Sequence, residues 1–389
     1  MRMDVEERRR RLGVRHALAV PVPTTEEVTR SLVALHSTDP ASMVLSALAR
    51  LEHPSIEAVG DALYAERSIV RVLAMRRTVF AVPSDEAADF LATVQHSVAG
   101  PEYRKLLAMV AASGIEDADA WLAAAHAAAL AAFERLEDFS SAELQGVDPL
   151  LATRIEIGAG TKYATRQSIA SRLLTVMSVE GSAVRTRPEG SWNSTRFRWS
   201  SMRRWLPDSA DLPDAAEART AVARRWLARF GPARAEDLQW WTGWTKGHTA
   251  AALAPLATVE VELEPGTGLV LADDLEPIPA PAPWVALLPA LDPTTMGWKH
   301  RDWYLGLHGD RLFDTTGNAG PTIWHDGRIV GGWAIRDDGT VAVRVLADVG
   351  RAALEAIEAR ADHVEKLLGG AVVKARGRRW TPLEKELRA

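Results

Sequence analysis

Leu35-His36-Ser37-Thr38-Asp39-Pro40 is the stretch on which the reading of this chain turns. Upstream of it, Thr24 can cap a helix, and Glu27 three residues later completes a capping-box pattern. Val28, Leu32 and Leu35 follow at helical spacing, which predicts a helix over 24–35. Downstream, Asp39 is a good N-cap, Pro40 suits a first helical position, and Val44, Leu48 and Leu51 carry the next apolar stripe. A histidine, a serine, a threonine and an aspartate therefore crowd one helix-to-helix corner. Helix starts leave backbone N–H groups without intrahelical partners, so such a corner can hold a water or an anion. The plain alternative is that Asp39 only caps and His36 is a polar helix end.

Beyond this corner, Ser55 opens a third helix with Ile56, Val59 and Leu63 inward. Segments 69–73 and 79–82 then read as two strands around Met75-Arg76-Arg77. Three helices and a hairpin is the order of a winged helix. A helix starts at Ser84-Asp85-Glu86, and an alanine-rich one covers 119–136. The order returns after Ser140-Ser141-Ala142-Glu143, a second capping-box match. A short helix begins at Asp148-Pro149. Another covers 166–176, with Ile169, Leu173 and Val176 inward and Arg166 and Arg172 outward. A hairpin spans 183–199 and turns near Pro188-Glu189-Gly190. On its return strand Phe197 and Trp199 alternate with Arg196 and Arg198, which puts aromatics on one face and guanidiniums on the other.

After a linker over 207–214 the order comes a third time. It comprises a helix over 215–230, a pair over 233–241 and 246–256 around Thr242-Gly243-Trp244, and strands at 259–263 and 269–271. From about residue 275 the character changes. Prolines crowd 277–283, Trp284-Val285-Ala286-Leu287-Leu288 is a buried-strand candidate, and turns sit at Asn318-Ala319-Gly320, Asp326-Gly327 and Asp337-Asp338-Gly339. A last helix covers 352–368. The expected fold class is α+β: three tandem winged-helix units over residues 1–135, 136–210 and 211–275, then a β-rich C-terminal region over 276–389.

The chain has 389 residues, enough for two to three domains, and its 47% hydrophobic and 25% charged content is that of a folded globular protein. It has no cysteine, which excludes disulfides and thiolate metal sites and fits a cytosolic protein. No secretory h-region is visible, and no apolar run approaches the ~20 residues of a membrane span. The 14 tryptophans against 4 tyrosines are expected mainly in the core. Net charge is −5, yet residues 154–204 hold ten basic side chains against three acidic ones, a local +7. Arg8-Arg9-Arg10-Arg11 and the tail residues Lys374, Arg376, Arg378 and Arg379 add two further basic clusters. Such asymmetry points to a polyanionic partner, with a merely solvated face as an equal alternative. The candidate phosphate contacts are Arg166, Arg172, Arg185, Arg187, Arg196 and Arg198, and Trp192 is the candidate wedge.

Four segments carry a resemblance: Leu32-Val33-Ala34-Leu35-His36-Ser37-Thr38, Arg76-Arg77-Thr78-Val79-Phe80, Trp240-Trp241-Thr242-Gly243, and Leu287-Leu288-Pro289-Ala290-Leu291-Asp292-Pro293. In them the chain resembles the bacterial winged-helix DNA glycosylases that include AlkZ and YcaQ, which remove alkylated purines and unhook interstrand crosslinks. The resemblance implies a monofunctional glycosylase acting on alkylated or bulky-adduct purines. Its partner would be damaged double-stranded DNA, with no membrane and no cofactor, in a monomer located in the cytoplasm at the nucleoid. The family's catalytic motif is Gln-apolar-Gln, or Gln-apolar-Asp, and here His36-Ser37-Thr38 followed by Asp39 stands at those positions.

Cleaving an N-glycosidic bond passes through an oxocarbenium-like sugar attacked by water. A purine alkylated at N7 is already cationic and leaves readily. The protein must mainly orient water and stabilise positive charge. His36 can hold or deprotonate that water, Asp39 can supply negative charge, and Thr38 a further hydrogen bond. The other reading is a winged-helix DNA-binding protein or regulator in which these residues only satisfy the corner.

Overall fold

A computed structural model describes residues 1–158, 164–207, 211–371, 373 and 379–389. Lys162, Lys374, Arg376 and Arg378 lie outside the described residues. Helices and antiparallel strands alternate along the chain, and the fold class is α+β. Two compact units form: Met1–Val70 with Phe80–Pro83 and Arg219–Ala389, and Arg71–Val79 with Ser84–Ala218.

The first unit opens on a helix, Val5–Arg15, capped by Asp4 through the Glu7 N–H at 2.8 Å. It contains the Arg8–Arg11 cluster, of which Arg8 and Arg11 are buried while Arg9 and Arg10 are partly exposed and paired with Glu6 and Glu7. Arg8 and Arg11 are 6% and 1% exposed. Arg11 donates to the Glu7 carboxylate and to the carbonyls of Asp274 and Glu276, while Arg8 lies over the Trp303 ring at 4.1 Å. Burial pushes the Arg8 guanidinium down to about 10.

Thr24 caps the next helix, Thr25–Ser31, by accepting from the Glu27 N–H. That helix ends sooner than the spacing predicts. Leu32 closes it and Val33 adopts a left-handed φ of 64°. Leu35–His36 then runs as a short strand, Leu35 opposite Ala81 and His36 opposite Phe80 on the strand Thr78–Pro83. Leu32 and Leu35 are fully buried, so their spacing marks burial that continues from helix into strand. The helix Pro40–Leu48 follows, buried along its whole length, and Ile56–Tyr64 is capped by Ser55. The strands Ile69–Ala74 and Thr78–Pro83 flank Met75–Arg77 as expected.

Later in the same unit, helices Ala235–Thr242 and Lys246–Leu253 flank Gly243, whose φ of 72° ends the first of them. The hairpin Thr258–Glu262 with Thr267–Leu271 comes next. Four antiparallel strands, Val285–Leu288, Thr322–His325, Arg328–Ile335 and Val341–Val345, then pair in chain order. Helices Arg351–Leu368 and Pro382–Arg388 pack on this sheet. Most tryptophans are core as expected, Trp226, Trp298, Trp324 and Trp333 among them.

The second unit is built on Ala87–Val94, Gly100–Ala112 and Ala118–Arg135. The capping box at Ser140 and Glu143 forms in both directions, at 3.1 and 2.6 Å. A small hairpin, Arg154–Ile157 with Thr165–Ser168, precedes the helix Ile169–Glu180. Arg166 therefore sits on a strand, opposite Glu156, and not on the helix expected over 166–176. The hairpin Ala183–Pro188 with Phe197–Ser201 keeps the expected alternation, with Phe197 and Trp199 buried, Arg196 exposed and Arg198 half-buried. Phe133, Phe139, Leu173 and Trp199 belong to its core. Among the described residues no helix is long and apolar enough to cross a membrane.

Candidate active site and nucleic-acid interface

Burial alternates through the corner from His36 to Asp39. His36 is half-buried and Thr38 exposed, whereas Ser37 and Asp39 are 0% and 3% exposed. The His36 ring meets the Phe80 ring edge-on, with centroids 5.8 Å apart, and Phe80 in turn leans on Trp241. Ser37 donates to the Met43 sulfur at 3.3 Å. The Asp39 carboxylate accepts from the Ala41 N–H at 3.0 Å and so caps the helix Pro40–Leu48. Asp39 also lines a cavity of about 30 Å³ with Ser42, Trp333, Trp380, Glu384 and Arg388. The corner thus exposes Thr38, leaves His36 half-buried with its Nδ1 inside the protein, and buries Asp39.

The helix that Asp39 caps is seated on a buried polar network that the sequence did not announce. Ser46 donates to Asp292 at 2.7 Å, and Arg50 makes two hydrogen bonds to the same carboxylate, both at 2.8 Å. Arg50 also donates to Thr294 and to the His16 carbonyl. The His16 ring pairs with Thr294 at 2.9 Å and with the Arg229 carbonyl at 3.2 Å. Burial, followed by the nearby Arg50 guanidinium, holds the His16 imidazole well below its ordinary range. Asp292 lies in one of the four segments quoted above, but its partners are too distant in sequence for spacing to reveal them.

The arginines of the second unit separate into different environments. Arg166 and Arg187 are exposed, and Arg166 donates to the Arg154 carbonyl at 3.2 Å. Arg172 is half-buried, and its Nε has no hydrogen-bond partner among the described residues. Arg185 is half-buried over Phe197 and Trp199, at 5.7 and 5.3 Å. Burial, with a smaller effect from Arg71, pushes its guanidinium down to about 10, so it stays charged at neutral pH. Trp192 is partly exposed between the hairpin strands. Arg196 is exposed, 3.9 Å from Glu189. Arg198 is held by Asp138 at 2.7 Å and Glu143 at 3.2 Å, and its hydrogen bond to Asp138 raises its pKa further.

The arrangement is that of an α+β protein with a half-buried histidine and an exposed threonine beside a buried helix start, and a basic, aromatic-backed hairpin. Among solved structures, the Streptomyces sahachiroi DNA glycosylase AlkZ has the same fold, with a TM-score of 0.74 at 20% identity over 97% of this chain and 100% of that one. The model of the DNA glycosylase AlkZ-like family matches residues 29–367, and the chain belongs to that family. A curated relative, an interstrand DNA cross-link repair glycosylase of Streptomyces sahachiroi, is 28% identical over 171 residues. That match spans 42% of this chain and 46%, just under half, of the relative's length.

Proposed function

We propose that this chain is a monofunctional DNA glycosylase that hydrolyses the N-glycosidic bond of alkylated or bulky-adduct purines in double-stranded DNA, crosslinked purines included. The observation that carries this reading is the family match across most of the chain, supported by an exposed Thr38 and a half-buried His36 at the corner that resembles the family's motif. In this reading the imidazole of His36 and the hydroxyl of Thr38 hold the attacking water at the anomeric carbon. The buried Asp39 carboxylate adds negative charge behind them as the oxocarbenium-like sugar develops. The residues of the corner carry no amine, which favours water over a lysine-type nucleophile. We read the three helix-then-hairpin series as three tandem winged-helix units that bind the duplex. Arg166, Arg172, Arg185, Arg187 and Arg196 then contact phosphates and Trp192 wedges into the stack. Arg198, tied to Asp138, fixes the hairpin's base.

The test is chromatography of the products from duplex DNA treated with a methylating agent. Release of free purine with the abasic strand left unbroken is expected. No purine release, or strand scission in step with it, would contradict the reading. A binding-only alternative draws support from Asp39, whose carboxylate already caps a helix, and from the lack of the family's glutamines at His36 and Thr38.

A further inference from the structure

Two of the four quoted segments have so far supplied no function: Arg76-Arg77-Thr78-Val79-Phe80 and Trp240-Trp241-Thr242-Gly243. Each places one buried ring behind His36. The short strand Leu35–His36 lies at the edge of its three-stranded sheet, so its neighbour in that sheet is Thr78–Pro83 alone. His36 stands opposite Phe80 in this pairing. Residues directly opposed across an antiparallel pair project from the same face, and here the two rings meet edge-on at 5.8 Å and 78°. Phe80 is 3% exposed and has Trp241 behind it, with ring centroids 6.2 Å apart. Trp241 is itself held by Trp226 at 6.4 Å and Phe230 at 6.2 Å, and all three of these rings are buried. His36 and the rings behind it belong to the first unit.

The His36 Nδ1 lies inside the protein. A half-turn of the ring would put a carbon where each nitrogen stands, so the ring's orientation decides whether a nitrogen or a carbon serves the corner. The torsion that turns an imidazole is broad and roughly two-fold on its own. His36 is also the last residue of its strand, so the backbone does little to choose between the orientations. An edge-on aromatic contact has a preferred geometry. A phenyl ring backed by a packed indole has little room to yield.

We propose that Phe80, backed by Trp241, is a positioning residue that fixes the orientation of the His36 imidazole for base release. This rests on the catalytic reading of His36 above. In it Phe80 acts through His36 and not on the sugar or the base.

The experiment follows single-turnover base release from a duplex carrying N7-methylguanine, with lesion affinity measured in parallel. It uses the whole chain and the variants Phe80→Leu, Trp241→Phe, His36→Ala and Phe80→Leu with His36→Ala. Phe80→Leu is expected to slow release about 10-fold with affinity unchanged, since a displacement of about 1 Å can cost ~10²-fold and a turned ring on an intact backbone costs less. In the His36→Ala background the same substitution should slow release no further, because effects that pass through one group do not add. A merely structural role would slow both backgrounds alike. Trp241→Phe should slow release by a smaller factor, and it decides if Phe80→Leu does not fold, judged by near-ultraviolet circular dichroism. Nuclear magnetic resonance of histidine-labelled protein reads the orientation itself. The two carbon-bound protons of the His36 ring should have different proton neighbours in the parent and shared ones in Phe80→Leu. Parental release rates in the folded variants, or equal slowing with and without His36, would overturn the positioning role. A parent that releases no base, or a His36→Ala variant at the parental rate, removes the glycosylase reading instead. The proton contacts then decide whether Phe80 orients the ring, and contacts unchanged in Phe80→Leu would overturn that as well.

Discussion

Arg50 and Asp292 lie 242 residues apart in sequence and meet face to face through two hydrogen bonds of 2.8 Å, both side chains fully buried. Asp292 also accepts from Ser46, on the helix whose first turn Asp39 caps. The pair therefore ties the C-terminal strand region to the base of the candidate active corner within one unit. Removing one partner of a buried pair strands the other charge, at a cost of about 3–5 kcal/mol. Arg50→Met should lower thermal stability by that order, and Arg50→Met with Asp292→Leu should recover part of the loss. An Arg50→Met variant that melts like the parent would contradict this role.

His16 gives the first unit a pH dependence. Its folded pKa lies well below the unfolded value of ~6.5, so the unfolded chain binds the extra proton. The contribution is fully present above ~6.5 and is lost as pH falls below ~6.5 toward the folded value, by up to ~1.4 kcal/mol per pH unit. Melting temperatures between pH 5 and 7.5 should fall on the acid side for the parent. His16→Gln, which keeps hydrogen-bonding groups but does not titrate, should flatten that fall. Equal slopes in the two proteins would mean that another group sets the dependence.

Arg196 and Arg198 are neighbours on one strand with opposite expectations. Arg196 is exposed beside a distant Glu189, whereas Arg198 is occupied by Asp138 and Glu143. Arg196→Ala should reduce the salt slope of duplex binding by roughly 0.9. Arg198→Ala should leave the slope near the parent value. Because Asp138 is itself 44% exposed, losing that pair should cost at most ~1 kcal/mol of stability. A slope that falls for Arg198→Ala and not for Arg196→Ala would reverse the assignment.

The local rules were legible where the physics is local. The Ser140–Glu143 box, the Phe197/Trp199 alternation and the turn at Asp326-Gly327 each depend on residues a few positions apart. The helix Ala215–Phe230 was readable for the same reason. What was hidden depends on distant partners. Arg8 to Arg11 read only as a basic cluster, and the burial of Arg8 and Arg11 was hidden because the carbonyls of Asp274 and Glu276 and the ring of Trp303 are more than 260 residues away. The extension of Leu35–His36 was masked because a buried strand following a helix preserves the apolar spacing of a longer helix. At the corner, residue types gave the chemistry of His36, Thr38 and Asp39. Only the fold reveals that Thr38 is exposed, His36 half-buried and Asp39 buried.

The central claim is best tested by single-turnover release of free base from a duplex carrying one N7-methylguanine, and from one carrying a bulkier N7 adduct. A general base contributes ~10²–10⁴-fold, and a cationic purine leaves easily. His36→Ala should therefore slow release about 10²-fold with lesion binding unchanged. Asp39→Asn, which still caps the helix, should slow it without loss of stability. A parent that releases base from neither duplex, or a His36→Ala variant that releases it at the parental rate, would contradict the account.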